Sequence, residues 1–180
     1  MKIKSIFKSL SLLAVMVLAG CAQPAKMEKM VVGADDLKDY TINTAFSNAI
    51  SVEPVSGGQE TNPLWMSDVA SKDFELALVE SLKGIGSFSA DNSGYALNAK
   101  LLSVKKPFMG FNMTVHSRVH YTLTDLKTKT ALFDEDIEAS YTATVGDAFM
   151  GIKRLQLANE GAIRENIRRF LLALSELKLQ

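Results

Sequence analysis

Two stretches of alternating apolar and polar residues constrain the fold of this chain more than any other feature. Apolar side chains recur at alternate positions between residues 113 and 123, and again between residues 131 and 145. A repeat of two is typical of a β-strand that buries one face and exposes the other to water. The polar residues 126–129 separate the stretches, so the sequence predicts a long antiparallel hairpin.

The register of this hairpin follows from its two apolar faces, which can share one side of the sheet only if the loop has an odd length. A three-residue loop places His120 opposite Asp136 and Arg118 opposite Glu138. Cross-strand pairs of opposite charge stabilise a sheet by about 0.2–1 kcal/mol each. Glu135 falls on the apolar face, which predicts a bulge or an edge position for its strand.

The remaining apolar patterns predict two helices and two further strands. Strands are expected over 46–52 and 95–105, a short amphipathic helix over about 72–83, and a long helix over about 152–177, in which Gly161 permits close approach to the sheet. The element order is β-α-β-β-β-α. It indicates an α+β two-layer domain with a mostly antiparallel four-stranded sheet and two helices on one face.

The N-terminus has the composition of a secretory signal. Residues 1–9 carry three lysines and no acid, residues 10–18 are almost wholly apolar, and Ala19 and Gly20 are small. The apolar run of about ten residues is half of the roughly 20 that a spanning helix needs. A buried core helix and a signal peptide with a different cleavage position are the alternatives.

The tetrapeptide Leu18-Ala19-Gly20-Cys21 resembles the lipobox of bacterial lipoproteins. The resemblance implies cleavage between Gly20 and Cys21, a diacylglycerol on the Cys21 sulfur and an acyl chain on its amine, with no other cofactor. Cys21 is the only cysteine of the chain, so the mature protein would have no disulfide. Ala22 stands where inner-membrane lipoproteins commonly carry Asp, which implies an outer-membrane protein that faces the periplasm.

Processing would divide the chain into three parts: a signal peptide over 1–20, a lipidated flexible tether over 21–39, and one domain over 40–180. Loss of the signal peptide leaves 17 basic and 20 acidic residues. A mildly acidic domain lacks the basic surface that nucleic-acid binding requires. The single tryptophan, Trp65, lies in an irregular stretch and is expected to pack over the edge of the core, although a partner contact is an alternative.

Catalytic and metal-binding patterns are weak. His116 and His120 have the spacing of a zinc pair on a helix, but on a strand they lie about 13 Å apart. Asp134, Asp136 and Glu138 alternate on the wet face of a strand opposite basic residues, which indicates a solvated surface rather than an acid–base pair. We therefore expect no catalytic and no metal site.

Two Phe-Met-Gly segments flank the predicted hairpin. Both connections should lie at one end of the sheet, where they would form an apolar patch suited to a partner or a lipid chain. The alternative is that these side chains fold back and close the end of the core. The candidate patch residues are Phe108, Met109, Phe111, Phe149 and Met150.

The mature chain resembles small envelope lipoproteins of this build, namely the lipopolysaccharide-assembly lipoprotein and the peptidoglycan-synthase activator lipoproteins. The resemblance rests on the lipobox, the order of elements and the closing helix. It implies a non-catalytic accessory protein of the bacterial envelope, with a membrane anchor and an envelope protein or lipid as partner. The alternative is a periplasmic enzyme or ligand-binding lipoprotein, which requires a pocket with convergent polar groups.

Overall fold

A computed structural model describes residues 22–37, 41, 43–62, 66–91 and 94–178. The predicted cleavage and lipidation residues, Gly20 and Cys21, and the tryptophan Trp65 lie outside the described residues. Their assignments stay predictions.

Three α-helices and four strands form the described structure, which confirms the α+β class. The sheet has the order β1-β2-β3-β4, with β4 at one edge. None of the described helices combines the length and the apolar character needed to cross a bilayer. The elements are α1 (Met27–Met30), β1 (Ile50–Val52), α2 (Ser71–Gly84), β2 (Tyr95–Lys105), β3 (Met113–Asp125), β4 (Ala131–Ala143) and α3 (Gly151–Glu176), with 3₁₀ turns at Ala34–Leu37 and Thr44–Phe46.

Three details of the predicted architecture need correction. The sheet is mixed, because β1 runs parallel to β2 with Ile50 beside Tyr95, and α2 supplies the crossover that parallel strands require. The helices number three rather than two, because the stretch read as a tether contains α1. The first strand also begins at Ile50 rather than at residue 46, because the Asn43 side chain caps a 3₁₀ turn there.

The hairpin register agrees with the sequence. Arg118 lies opposite Glu138, and His120 lies opposite Asp136. The connection spans residues 126–130 instead of three residues, because the register shifts between Leu123 and Thr124. Glu135 is exposed, and its strand is the sheet edge.

Helix α3 packs along β3 and β4 through very close contacts. A Cβ atom on Gly161 would lie 2.3 Å from the ring of Tyr141, so the predicted close approach is confirmed. Deeper in the core, the Tyr121 ring stacks on Phe170 with 4.3 Å between centroids. The Tyr121 hydroxyl donates to Asn166 over 2.9 Å, and burial raises the pKa of this tyrosine well above its ordinary value.

Residues 22–37 pack onto the domain, in contrast to the flexible tether predicted for this part of the chain. Ala22, Ala25, Met30 and Val32 are buried. The spacing of these apolar residues is too irregular to predict a helix or a strand. They are buried by contacts with distant parts of the chain. The domain therefore includes these described residues and does not begin at residue 40.

Candidate docking surface

The two Phe-Met-Gly segments meet at one end of the sheet. Residues 106–112 connect β2 to β3, and residues 144–150 connect β4 to α3. Met113 pairs with Ala143, so both connections leave the sheet side by side, away from the turn at 126–130.

The side chains predicted to form a patch are exposed. Phe108, Phe111 and Phe149 are 88%, 86% and 89% accessible to solvent, and Met109 and Met150 are 73% and 46% accessible. These side chains do not close the end of the core, so the alternative considered for them does not apply. We call these five side chains the apolar patch.

Arg154, in the first turn of α3, holds both connections. Its Nη1 donates to the carbonyl oxygens of Ala148 and Phe149 over 2.9 and 2.6 Å, and its Nη2 donates to Gly110 O over 3.3 Å. The side chain is buried, with 7% of the residue accessible. One guanidinium thus fixes the two loops relative to each other.

Sequence reasoning did not find Arg154. The signal available was its position four residues before Ala158, on the stripe that α3 buries. A buried arginine is rare without partners, and here backbone carbonyls rather than an acid supply them. No sequence pattern identifies carbonyl partners of this kind.

Each loop also has local support. The Asp147 carboxylate accepts from the backbone N–H and the hydroxyl of Thr144 over 2.7 and 2.8 Å, and these hydrogen bonds lower the pKa of Asp147. A Cβ atom on Gly110 would lie 2.9 Å from the carbonyl oxygen of Asn112, so the bend there favours glycine. Local hydrogen bonds and a tight bend therefore hold the loops that carry the apolar patch in a defined conformation.

The open face of the sheet carries a network of ion pairs. Asp136 accepts from Arg118 over 2.6 and 2.9 Å and lies 2.7 Å from His120 Nδ1, while His120 Nε2 lies 3.1 Å from Asp134. The hydrogen bond from His120, and then that from Arg118, lower the pKa of Asp136. These carboxylates are engaged in pairs, as expected for a solvated face.

A shallow depression of about 690 Å³ lies on the same face, and its lining includes Lys105, His116, Arg118, Glu138 and Arg169. Arg169 also pairs with Glu165 of its own helix.

Within the described ranges, no group of three or more His, Cys, Asp or Glu side chains could hold a metal ion.

No family model and no curated protein matches this sequence. Solved structures do share its fold. A Xanthomonas campestris protein of the family DUF330 is 12% identical, with 77% of this chain and 91% of that chain covered and a TM-score of 0.57. A Caulobacter crescentus protein described as a lipoprotein is 15% identical, with 74% and 91% covered and a TM-score of 0.50. Identities this low show a common fold and nothing about activity.

Proposed function

We propose that this protein is a bacterial lipoprotein that acts as a non-catalytic docking subunit in cell-envelope assembly or lipid transport. In this proposal an acylated Cys21 anchors it in the outer membrane, and the domain faces the periplasm. The lipobox-like tetrapeptide at residues 18–21 supports the anchor. A protein described as a lipoprotein is among those that share the fold.

The apolar patch is the observation that carries the docking role. Soluble monomers rarely display several nearly fully exposed phenylalanines together, and patches of this kind usually mark interaction sites. The buried guanidinium of Arg154 holds the backbone of both patch loops through hydrogen bonds to Phe149 and Gly110. The fold therefore keeps these loops in the conformation that exposes the phenylalanine side chains. Neither a histidine nor a serine belongs to the patch loops at 106–112 and 144–150, which favours binding over catalysis there.

A ligand-binding or enzymatic role is the second candidate, and the depression on the open sheet face favours it. Its basic lining could attract an anion. However, Arg118 and Arg169 are already neutralised by Asp136 and Glu165, and ligand sites are commonly more enclosed and more apolar. The patch is the better supported site.

The test begins with the anchor. The intact mass of the mature protein should show acyl groups on Cys21, and Cys21→Ser should abolish them and release the protein from the membrane fraction. Density separation of inner and outer membranes should place the wild-type protein in the outer fraction.

Photocrosslinking then tests the patch. A benzophenone amino acid at Phe108 or Phe149 should capture envelope protein or lipid in living cells, and the same group at Thr128, in the turn at the other end of the hairpin, should capture much less. Equal capture at the two ends would overturn the docking role.

A further inference from the structure

We propose that the apolar patch inserts into the interface of the membrane that holds the Cys21 lipid. The domain then lies against the bilayer instead of standing away from it. This inference rests on the proposed acylation of Cys21 and names the lipid surface as the occupant of the patch.

The first step is the position of the anchor. Ala22 is only 3% accessible, and consecutive Cα atoms are about 3.8 Å apart. The residue that would carry the lipid is therefore joined directly to a buried residue of the domain. Acyl chains on Cys21 would therefore begin one residue, about 3.8 Å, from a buried residue of the domain.

The second step is the contact between the N-terminal segment and the first patch loop. The Ala25 N–H donates to the carbonyl oxygen of Asp68 over 3.1 Å. The Asp68 carboxylate forms an ion pair with Lys106, and Lys106 precedes Phe108 by two residues. The start of the described chain is thus linked to the β2–β3 connection through a single residue.

The third step links the same segment to the second patch loop. Gln156 Nε2 donates to the carbonyl oxygen of Pro24 over 2.9 Å. Gln156 follows Met150 by six residues, a distance of about 9 Å along a helix. Pro24 is three residues from Cys21, which spans at most about 11 Å of extended chain. Pro24 and the patch consequently lie toward the same end of α3, and a lipid on Cys21 would start within about 11 Å of Pro24.

The chemistry of the patch suits a membrane interface. The three phenylalanines of the patch, which are almost fully exposed, present on the order of 500 Å² of apolar surface. Lys105 and Lys153, close in sequence to the two loops, are exposed, and basic residues beside exposed aromatic residues are typical of interfacial binding to anionic lipids. Asp147 is the one acid within residues 105–112 and 144–153, and it is engaged with Thr144.

Three backbone carbonyl groups of the patch loops are already paired within the protein. Unpaired carbonyl groups resist transfer out of water at a cost of several kcal/mol each. Arg154 already donates to the carbonyl oxygens of Gly110, Ala148 and Phe149. These groups need not keep water when the phenylalanine rings enter the headgroup region.

A spin label tests the inference in the mature lipoprotein. With the Cys21 sulfur acylated, Met109→Cys provides a single free thiol for the spin label. In a separate control variant, Lys127→Cys places the label at the other end of β3, a strand about 40 Å long. The labelled proteins are reconstituted into vesicles of phosphatidylethanolamine and phosphatidylglycerol. Collisions with oxygen, which concentrates in lipid, and with a water-soluble nickel complex are then compared.

At position 109 we expect collisions with oxygen to exceed those with nickel, and at position 127 the order to reverse. A label at 109 that is as open to nickel as the label at 127 would overturn the inference while leaving the anchor intact. A label shielded from both reagents would indicate a protein partner or a second copy and would overturn it as well. An intact mass without acyl groups on Cys21 would instead overturn the proposed function, and the inference with it.

Discussion

Nη2 of Arg154 donates to the carbonyl oxygen of Gly110 over 3.3 Å, across 44 residues of sequence. The contact joins the start of the last helix to the loop before the central hairpin. Since the same guanidinium also holds Ala148 and Phe149, one buried side chain links the two loops that carry the exposed patch.

Replacing this arginine should loosen the patch. Arg154→Gln leaves partly buried carbonyl groups without their donors, and we expect the free energy of unfolding to fall by about 2 kcal/mol. Urea denaturation measures the change. Arg164→Gln removes an exposed pair with Asp36 and should cost under about 1 kcal/mol; an equal or larger loss there would contradict the assigned role of Arg154.

The close packing of Gly161 predicts an effect that depends on its neighbour. Gly161→Ala should destabilise the wild-type protein, because the new methyl group meets the Tyr141 ring and overpacking costs about 1–3 kcal/mol. In a Tyr141→Ala background the same change should stabilise by up to about 1 kcal/mol, the helix preference of alanine over glycine. Thermal unfolding of the four proteins measures the coupling, and additive effects would exclude the contact.

The ion-pair network on the open face predicts a loss of stability in acid. The pKa of Asp136 is lowered from 3.8 by His120 and Arg118, so its contribution is present above that value and disappears as the pH falls through the lowered pKa. Asp136→Asn should be less stable than wild type at pH 6, and the difference should shrink and vanish as the pH falls through the lowered pKa of Asp136. The midpoints of urea unfolding of both proteins, measured across this pH range, test the prediction. A difference in midpoint that does not change with pH would contradict a stabilising role of the ionised Asp136.

The exposure of the patch predicts that its phenylalanines contribute little to folding. Phe108→Ser combined with Phe149→Ser should change the free energy of unfolding by no more than about 0.5 kcal/mol. Phe170→Ala, in the buried stack with Tyr121, should cost about 3–5 kcal/mol. A large loss from the double substitution would show that the patch is part of the core.

The docked N-terminal segment predicts a change in protease sensitivity. Glu160 is buried and accepts from the Lys26 N–H over 3.0 Å and from Gln156 over 2.9 Å. Glu160→Ala should therefore accelerate tryptic cleavage after Lys26 and Lys29 by releasing this segment. Glu165→Ala, which alters only surface pairs with Arg168 and Arg169, serves as the control, and equal cleavage in both variants would argue against docking through Glu160.

Sequence reasoning succeeded where an apolar repeat extended over many residues. The alternation over 113–123 and 131–145 predicted the hairpin, and matching its two apolar faces predicted that His120 would face Asp136. The position of the patch followed from that register, because the flanks of an antiparallel hairpin lie at the same end. A regular pattern of this kind outweighs local ambiguity in each single residue.

The failures share a physical cause, which is dependence on distant contacts. Residues 22–37 have no apolar period, yet Met30 and Val32 are fully buried because α2 and α3 offer them a surface. The parallel pairing of Ile50 with Tyr95 follows from the crossover and not from the three residues of β1. Arg154 finds its partners among backbone carbonyls, which no side-chain pattern reveals.

The hydrogen bonds of the N-terminal segment also set how the molecule would respond to a pull. A load applied at the first described residues reaches the bonds from Ala25 to Asp68, from Lys26 to Glu160 and from Gln156 to Pro24 before it reaches the sheet. These few contacts would bear the load before the long pairing of β3 with β4. Under tension the N-terminal segment would therefore detach first, while the rest of the domain stays folded.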